Sequence, residues 1–156
     1  MINTLDAYLT FDNIYLFANW GVIPFWLLLI TMPNHGITKF FSHSIIPFLL
    51  LSFSYFFLGY KIFLEGNIFK SFSLYLGHEN LYEVYSDESF LIIFWLHFLS
   101  ISLFVGSWIA RDGQRHMVPG ILTAICLLAT YFAGPVGIVI YWFIRIFYSK
   151  KINFNE

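Results

Sequence analysis

Residues Phe90-Leu-Ile-Ile-Phe-Trp95-Leu-His97-Phe-Leu-Ser100-Ile-Ser102-Leu-Phe104-Val-Gly106-Ser107-Trp108-Ile-Ala110 contain no Asp, Glu, Lys or Arg. As a helix the run extends about 31 Å, enough to cross the hydrocarbon core of a bilayer. One ionisable group, His97, lies well inside it. An imidazole at that depth needs a partner within the protein or a water-filled cavity, and intramembrane ionisable groups are functional by default. Two readings stay open: a neutral His97 bonded to a neighbouring helix, or a His97 that moves protons. On a helical projection, His97, Ser100, Phe104, Ser107, Trp108 and Arg111 fall along one side, and Ser102, Gly106 and Ala110 roughly opposite. The small residues form a ridge that lets another helix approach closely.

The rest of the chain has the same character. Apolar residues make up 59% of the 156 and charged ones 11%, against roughly 45 to 50% and 25% in soluble domains. That excludes a soluble domain, and a formal net charge of -1 gives no reason to expect nucleic acid as a partner. A first span is expected over 14–32, interrupted by Asn19 and by Pro24, which crowds the carbonyl of Trp20. No basic residue precedes it, so it reads as a retained helix rather than a cleaved signal. A second span is expected over 44–60, with Pro47 in its first turn, and the third over 90–110. Between Lys61 and Ser89 runs an acidic, aromatic connection with Glu65, Glu79, Glu83, Asp87 and Glu88, which reads as a solvated face. Ile62, Phe63, Ile68, Phe69 and Phe72 in it suit a short interfacial helix. The abundant phenylalanines read as stacking on a ligand or as a coding bias, and Cys126 as packing filler.

After the polar turn Arg111-Asp112-Gly113-Gln114-Arg115-His116, the apolar stretch 118–148 would measure about 46 Å as a helix, too long for one straight span and too short for two. It reads as one helix bent at Gly134-Pro135. The expected fold is therefore an all-α integral membrane protein, a single domain of four transmembrane helices with the last one bent. In that topology Lys61, Lys70, Arg145, Lys150 and Lys151 share a face with both termini, against Lys39, Arg111 and Arg115 on the other, which favours cytoplasmic termini.

Chemistry is sparse. His35 and His43, or His97 and His116, lack the spacing of a preformed metal site, and no nucleophile with an adjacent base or glycine-rich phosphate loop occurs. Proton transfer is the most economical choice, with His97 as general acid or base and Asp112, His116 or a loop carboxylate as the second group. No metal and no cofactor are expected.

Asn19-Trp20 with Pro24-Phe-Trp26-Leu-Leu28, then Thr38, Pro47, Trp95-x-His97, Leu103-Phe104-Val-Gly106-x-Trp108-Ile109, Asp112, and Gly134-Pro135-x-Gly137 with Tyr141 and Arg145 together resemble the abscisic-acid-deficient-four-like family of four-helix membrane proteins. The resemblance covers nearly the whole chain. It implies action on a carotenoid, since plant members are associated with neoxanthin formation from violaxanthin, an isomerisation that opens an epoxide and creates an allene. This chain departs from the family pattern at Ser102 and Ser107, where the resemblance would place an aspartate and an arginine.

The expected function is thus a cofactor-independent isomerase acting on a carotenoid or related isoprenoid lipid. His97, Asp112 and His116 would move protons, Asn19 would orient the substrate, and Trp20, Trp26, Phe104 and Trp108, with Ser102, Ser107 and Arg111, would line its site. The alternative is a non-catalytic carotenoid- or lipid-binding membrane protein, or an assembly subunit for another membrane enzyme of the pathway. A multi-pass location in a bacterial cytoplasmic membrane is expected under either reading.

Overall fold

A computed structural model describes residues 10–64 and 68–150. Asp6, Glu65 and Lys151 lie outside the described residues, as do the side chains of His43, Ile68, Phe69 and Lys70. The described chain is helical, with no strand: α1 (Phe11–Thr31), α2 (Gly36–His43), α3 (Ile46–Leu64), a 3-10 helix (Ile68–Tyr75), α4 (His78–Tyr85), α5 (Glu88–Arg115), α6 (Gly120–Ala133) and α7 (Pro135–Ser149). Among the described residues, α1, α3 and α5 are the 3 helices long and apolar enough to cross a membrane, and only 22 to 33% of their most apolar windows is buried within the protein. Apolar side chains such as Phe53, Phe56 and Phe147 therefore point outward. Surfaces of that kind are stable in lipid and aggregate in water.

The chain divides into two compact units, one made of residues up to Gly21 with Phe48–Ser100, the other of Val22–Pro47 with Ile101 onward. In the first unit, Asn19 links α1 to α5. Its side-chain oxygen accepts from Trp95 Nε1 at 3.2 Å and its amide nitrogen donates to the Tyr15 carbonyl at 2.7 Å. Gly21 lets α3 come close, since a β-carbon there would stand 2.7 Å from the Leu50 side chain. Ile62, Val84 and Phe90 form a small core with Leu74 and Ile93 against it, so the acidic connection folds back on the helices instead of remaining a loop. Its polar residues divide accordingly. Glu79, Glu83 and Glu88 are exposed, while Asp87 accepts from the Ser89 backbone N–H at 3.0 Å and so caps the start of α5.

In the second unit, the turn after α1 is closed by side chains. Thr38, buried on α2, donates to the Met32 carbonyl at 2.6 Å, and Gln114 Nε2 donates to the Pro33 carbonyl at 2.7 Å, satisfying groups that a helix end leaves open. The ridge of small residues on α5 is a contact surface as expected. A β-carbon at Gly106 would come within 2.6 Å of the Trp26 ring, and Ser102, Gly106 and Ala110 are all buried.

The last apolar stretch departs from the expected bent helix. Thr123, near the start of α6, lies against Gly113, and Tyr141, midway along α7, and Arg145, near its end, bond to Asp112. A continuous helix would hold Thr123 and Arg145 about 33 Å apart. The chain instead turns back on itself at Gly134-Pro135, and α6 and α7 pack against each other as a helical hairpin. Gly134 has φ 47°, open to glycine at little cost, its N–H donates to the Thr130 carbonyl at 2.9 Å, and Pro135 starts α7 where its missing N–H costs nothing. Close packing below the tip depends on Gly137, whose α-carbon sits against Thr130 and the Cys126 carbonyl. The other departure is at α5, which continues through Arg111 and Asp112 to Arg115, so the expected polar turn is mostly helix.

Candidate functional site

Each unit carries a distinct chemical feature, and the expected proton-transfer residues divide between them. His97 belongs to the first. One turn of α5 places it on the wall of a cavity of about 490 Å³, lined also by Tyr55, Tyr75, Tyr85, Phe90 and Phe94. Val84 and Tyr85 of α4 and Leu74 and Tyr75 of the 3-10 helix close the cavity toward the connection. The imidazole is exposed, and no described residue hydrogen-bonds it. The imidazole therefore faces the cavity that it lines. An imidazole on an aromatic, mainly apolar wall can give or take a proton from a ligand while the rings cover the ligand's apolar body.

Asp112 and His116 belong to the second unit, one turn apart at the end of α5. The Asp112 carboxylate is buried. Its Oδ2 accepts from Tyr141 O–H at 2.6 Å and from Arg145 Nε at 2.6 Å, and Arg145 Nη2 reaches its Oδ1 at 3.5 Å. His116 Nε2 lies 3.5 Å from Asp112 Oδ1 and 3.2 Å from Arg145 Nη2. The guanidinium can only donate, so a bond at the shorter contact has Nε2 as its acceptor. Tyr141 and Arg145 stand one turn apart on α7, both fully within the interior, and the Trp108 ring meets the Tyr141 ring edge-on at 5.6 Å. The carboxylate's strongest contacts are thus to α7, and the network fastens the end of the hairpin to α5. Neither Tyr141 nor Arg145 stands out as a site residue when the apolar stretch is read as one span. Their i, i+4 spacing, with an arginine near the end of an apolar helix, is the signal that a buried carboxylate partner exists.

The residues expected to hold substrate are dispersed. Asn19 is engaged with Trp95, Trp20 is 69% exposed on the outer surface, and Trp26 is core, stacked edge-on against Tyr131 at 5.3 Å. Ser102 and Ser107 are buried, and the Ser107 carbonyl accepts from Arg111 Nε at 3.3 Å. Phe104 and Trp108 line an open apolar groove, and Trp108 and Arg111 a polar pocket. Cys126 is buried. No group of three or more His, Cys, Asp or Glu able to hold a metal ion occurs among the described residues.

No solved structure matches this chain. The protein ABA DEFICIENT 4, chloroplastic, of Arabidopsis thaliana is 28% identical to it over 154 residues, covering 93% of this chain and 64% of that protein. The chain thus spans a little under two thirds of that relative's length. The ABA DEFICIENT 4-like family matches residues 13–141, from the first turn of α1 to the Tyr141 that bonds Asp112. With that stretch running from α1 into α7, the chain belongs to the ABA DEFICIENT 4-like family.

Proposed function

We propose that this protein is an integral membrane isomerase that takes the end group of a carotenoid or related isoprenoid into the His97 cavity and rearranges it by proton transfer. The observation that carries the reading is the exposed imidazole on the wall of an aromatic cavity of about 490 Å³. Family membership supports the substrate class. His97 Nε2 or Nδ1 would take a proton from carbon, the epoxide or double-bond electrons would shift, and a phenol among Tyr55, Tyr75 and Tyr85 would hydrogen-bond the oxygen that gains charge. The imidazolium then returns the proton to that oxygen, so the product is an isomer of the substrate and no cofactor takes part. Asp112 and His116 act in this scheme as positioning residues that hold the hairpin to α5.

His97→Ala is expected to lower turnover by about a hundredfold or more, the range for removing a general acid or base, with the protein still monodisperse in detergent. The measurement is the pigment profile of cells making carotenoids, compared for wild type, His97→Ala and no protein. A new isomer that requires His97 supports the enzyme. An unchanged profile with pigment retained by both proteins supports the second reading, a carotenoid- or lipid-binding protein or an assembly subunit for a pathway enzyme. The uncharged Ser102 and Ser107, both buried, favour that second reading.

The hairpin also alters the membrane topology we propose. Helices α6 and α7 are about 21 and 22 Å long, short of a 30 Å core, so the chain crosses three times and the hairpin enters and leaves on one face. The termini then fall on opposite faces rather than sharing one. Lys39, Arg111, Arg115, Arg145 and Lys150 gather on the face of the α1–α3 connection and the end of α7, which the positive-inside rule makes cytoplasmic. Cysteines introduced at Asn34 and Lys150 are expected to be labelled by an impermeant thiol reagent from one side, and one at Glu83 from the other. Labelling of Lys150 together with Glu83 would mean that the hairpin crosses after all.

A further inference from the structure

We infer that Gly59 is the specificity-determining residue of the His97 cavity, because its missing side chain gives that cavity the width to hold a ring. The inference rests on the reading of the cavity as the ligand site. A glycine within a helix is less stable there than an alanine. Most of the described helical glycines offset that cost by letting another part of the protein come close: Gly21 lies against Leu50, Gly106 against Trp26, Gly113 against Thr123 and Gly137 against Thr130. Gly36 and Gly120 stand at the first positions of their helices. Gly59 has neither reason. It lies in the body of α3, and a β-carbon there would meet nothing within 4 Å. The space belongs to the cavity of about 490 Å³, which Gly59 lines together with Tyr55 and Ile62 of its own helix and Phe94 and His97 of α5.

Tyr55, Gly59 and Ile62 fall on one stripe of α3, at the spacing that stacks side chains along a single helix face. A side chain at position 59 would therefore project into the cavity between those of its two neighbours. Ile62 packs with Val84 and Phe90 in a buried cluster, which closes one end. From that cluster to Tyr55 on α3, and to His97 on α5, each helix covers about 10 Å. Gly59 lies partway, about 6 Å from the level of Tyr55. A planar polyene passes between apolar helices without a missing side chain, whereas a puckered ring carrying methyl groups is thicker and needs one. With the ring opposite Gly59, the bond that joins it to the chain falls one turn outward, beside His97. The glycine thus fixes which part of the ligand the imidazole meets.

The test is a competition between β-carotene and lycopene for the full-length protein in mixed micelles, read from the pigment that the repurified protein retains. The two are isomers that differ in whether the chain ends are closed into rings, so composition is held fixed and shape decides. Wild type is expected to prefer β-carotene by about tenfold, the discrimination that a few carbon atoms in an apolar pocket supply. Gly59→Leu removes the preference by losing β-carotene while keeping lycopene, which a protein that had merely been destabilised would not do. Gly59→Ala adds one carbon, lowers the preference by about threefold, and serves if the leucine variant fails to fold. Equal retention of the two pigments by wild type, or an unchanged ratio in both variants, overturns the assignment and leaves the cavity standing as an isoprenoid site. Retention of neither pigment by wild type overturns that reading of the cavity and the role of Gly59 with it.

Discussion

Asp112→Ala is expected to destabilise the protein by about 3–5 kcal/mol, the range for leaving one member of a buried ion pair without its partner. Arg145 is 2% exposed and Asp112 7%, so the guanidinium loses its carboxylate while still buried. The Tyr141 hydroxyl loses its acceptor in the same step, at a further cost of about 1–3 kcal/mol for an unsatisfied buried group. Because both partners of Asp112 on α7 are affected, the result is undocking of the hairpin's C-terminal arm rather than a local adjustment. Asp112→Leu combined with Arg145→Leu and Tyr141→Phe removes the charges and the orphaned hydroxyl together. This triple variant is expected to recover most of the loss, since well-packed apolar replacements of buried ion pairs are often neutral or better. Unfolding in mixed micelles, followed by tryptophan fluorescence, measures both. A single variant as stable as wild type would mean that the pair is solvated by the membrane interface and holds nothing in place.

The same cluster shows how much of the molecule can be read before it is folded. Helix existence was legible throughout, because an uncharged apolar run of span length has few alternatives in lipid. The first, second and third spans, expected over 14–32, 44–60 and 90–110, appear as Phe11–Thr31, Ile46–Leu64 and Glu88–Arg115. The third runs past its expected end, because the first charge, Arg111, does not stop the helix. Lipid depth limits where charges sit, not where a helix stops, and α5 runs on for another turn. That turn puts Asp112 and His116 on one face, a pairing invisible while they belong to a polar turn.

At Gly134-Pro135, where the sequence predicts a kink, one helix ends and the next begins. Proline inside a continuing helix needs no glycine before it, whereas a glycine in a positive-φ conformation followed by proline is the signature of one helix ending and another beginning. His97 was recognised as the odd residue in its span, but its surroundings were not. The cavity is closed by α4 and the 3-10 helix, from a segment whose acidic residues read as solvated. Its buried Val84 and half-buried Tyr85 lie between exposed Glu83 and Ser86, too short an apolar pattern to identify a cover from sequence.

Gly137→Ala is expected to open the hairpin. A β-carbon there would collide with the Thr130 side chain, with the Thr130 backbone nitrogen and with the Cys126 carbonyl. A side chain can rotate away from such a clash, but the two backbone atoms belong to α6 and move only if the helices separate. Overpacking costs about 1–3 kcal/mol where neighbours adjust, and backbone obstacles place this site at about 3 kcal/mol. Gly59→Ala is the matched control. It lies in α3 with nothing within 4 Å of the added carbon, and removing a mid-helix glycine gains about 0.5–1 kcal/mol. The two changes add the same atom to the same residue type in apolar helices, so a difference of about 4 kcal/mol in their unfolding free energies isolates the interhelical approach. Separation of α6 from α7 also pulls Tyr141 and Arg145 from Asp112, so Gly137→Ala and Asp112→Ala share a consequence and their effects should fall short of additive. Full additivity would mean that the tip and the charged end of the hairpin open independently, and that the Asp112 network fastens α7 alone rather than the hairpin as one body.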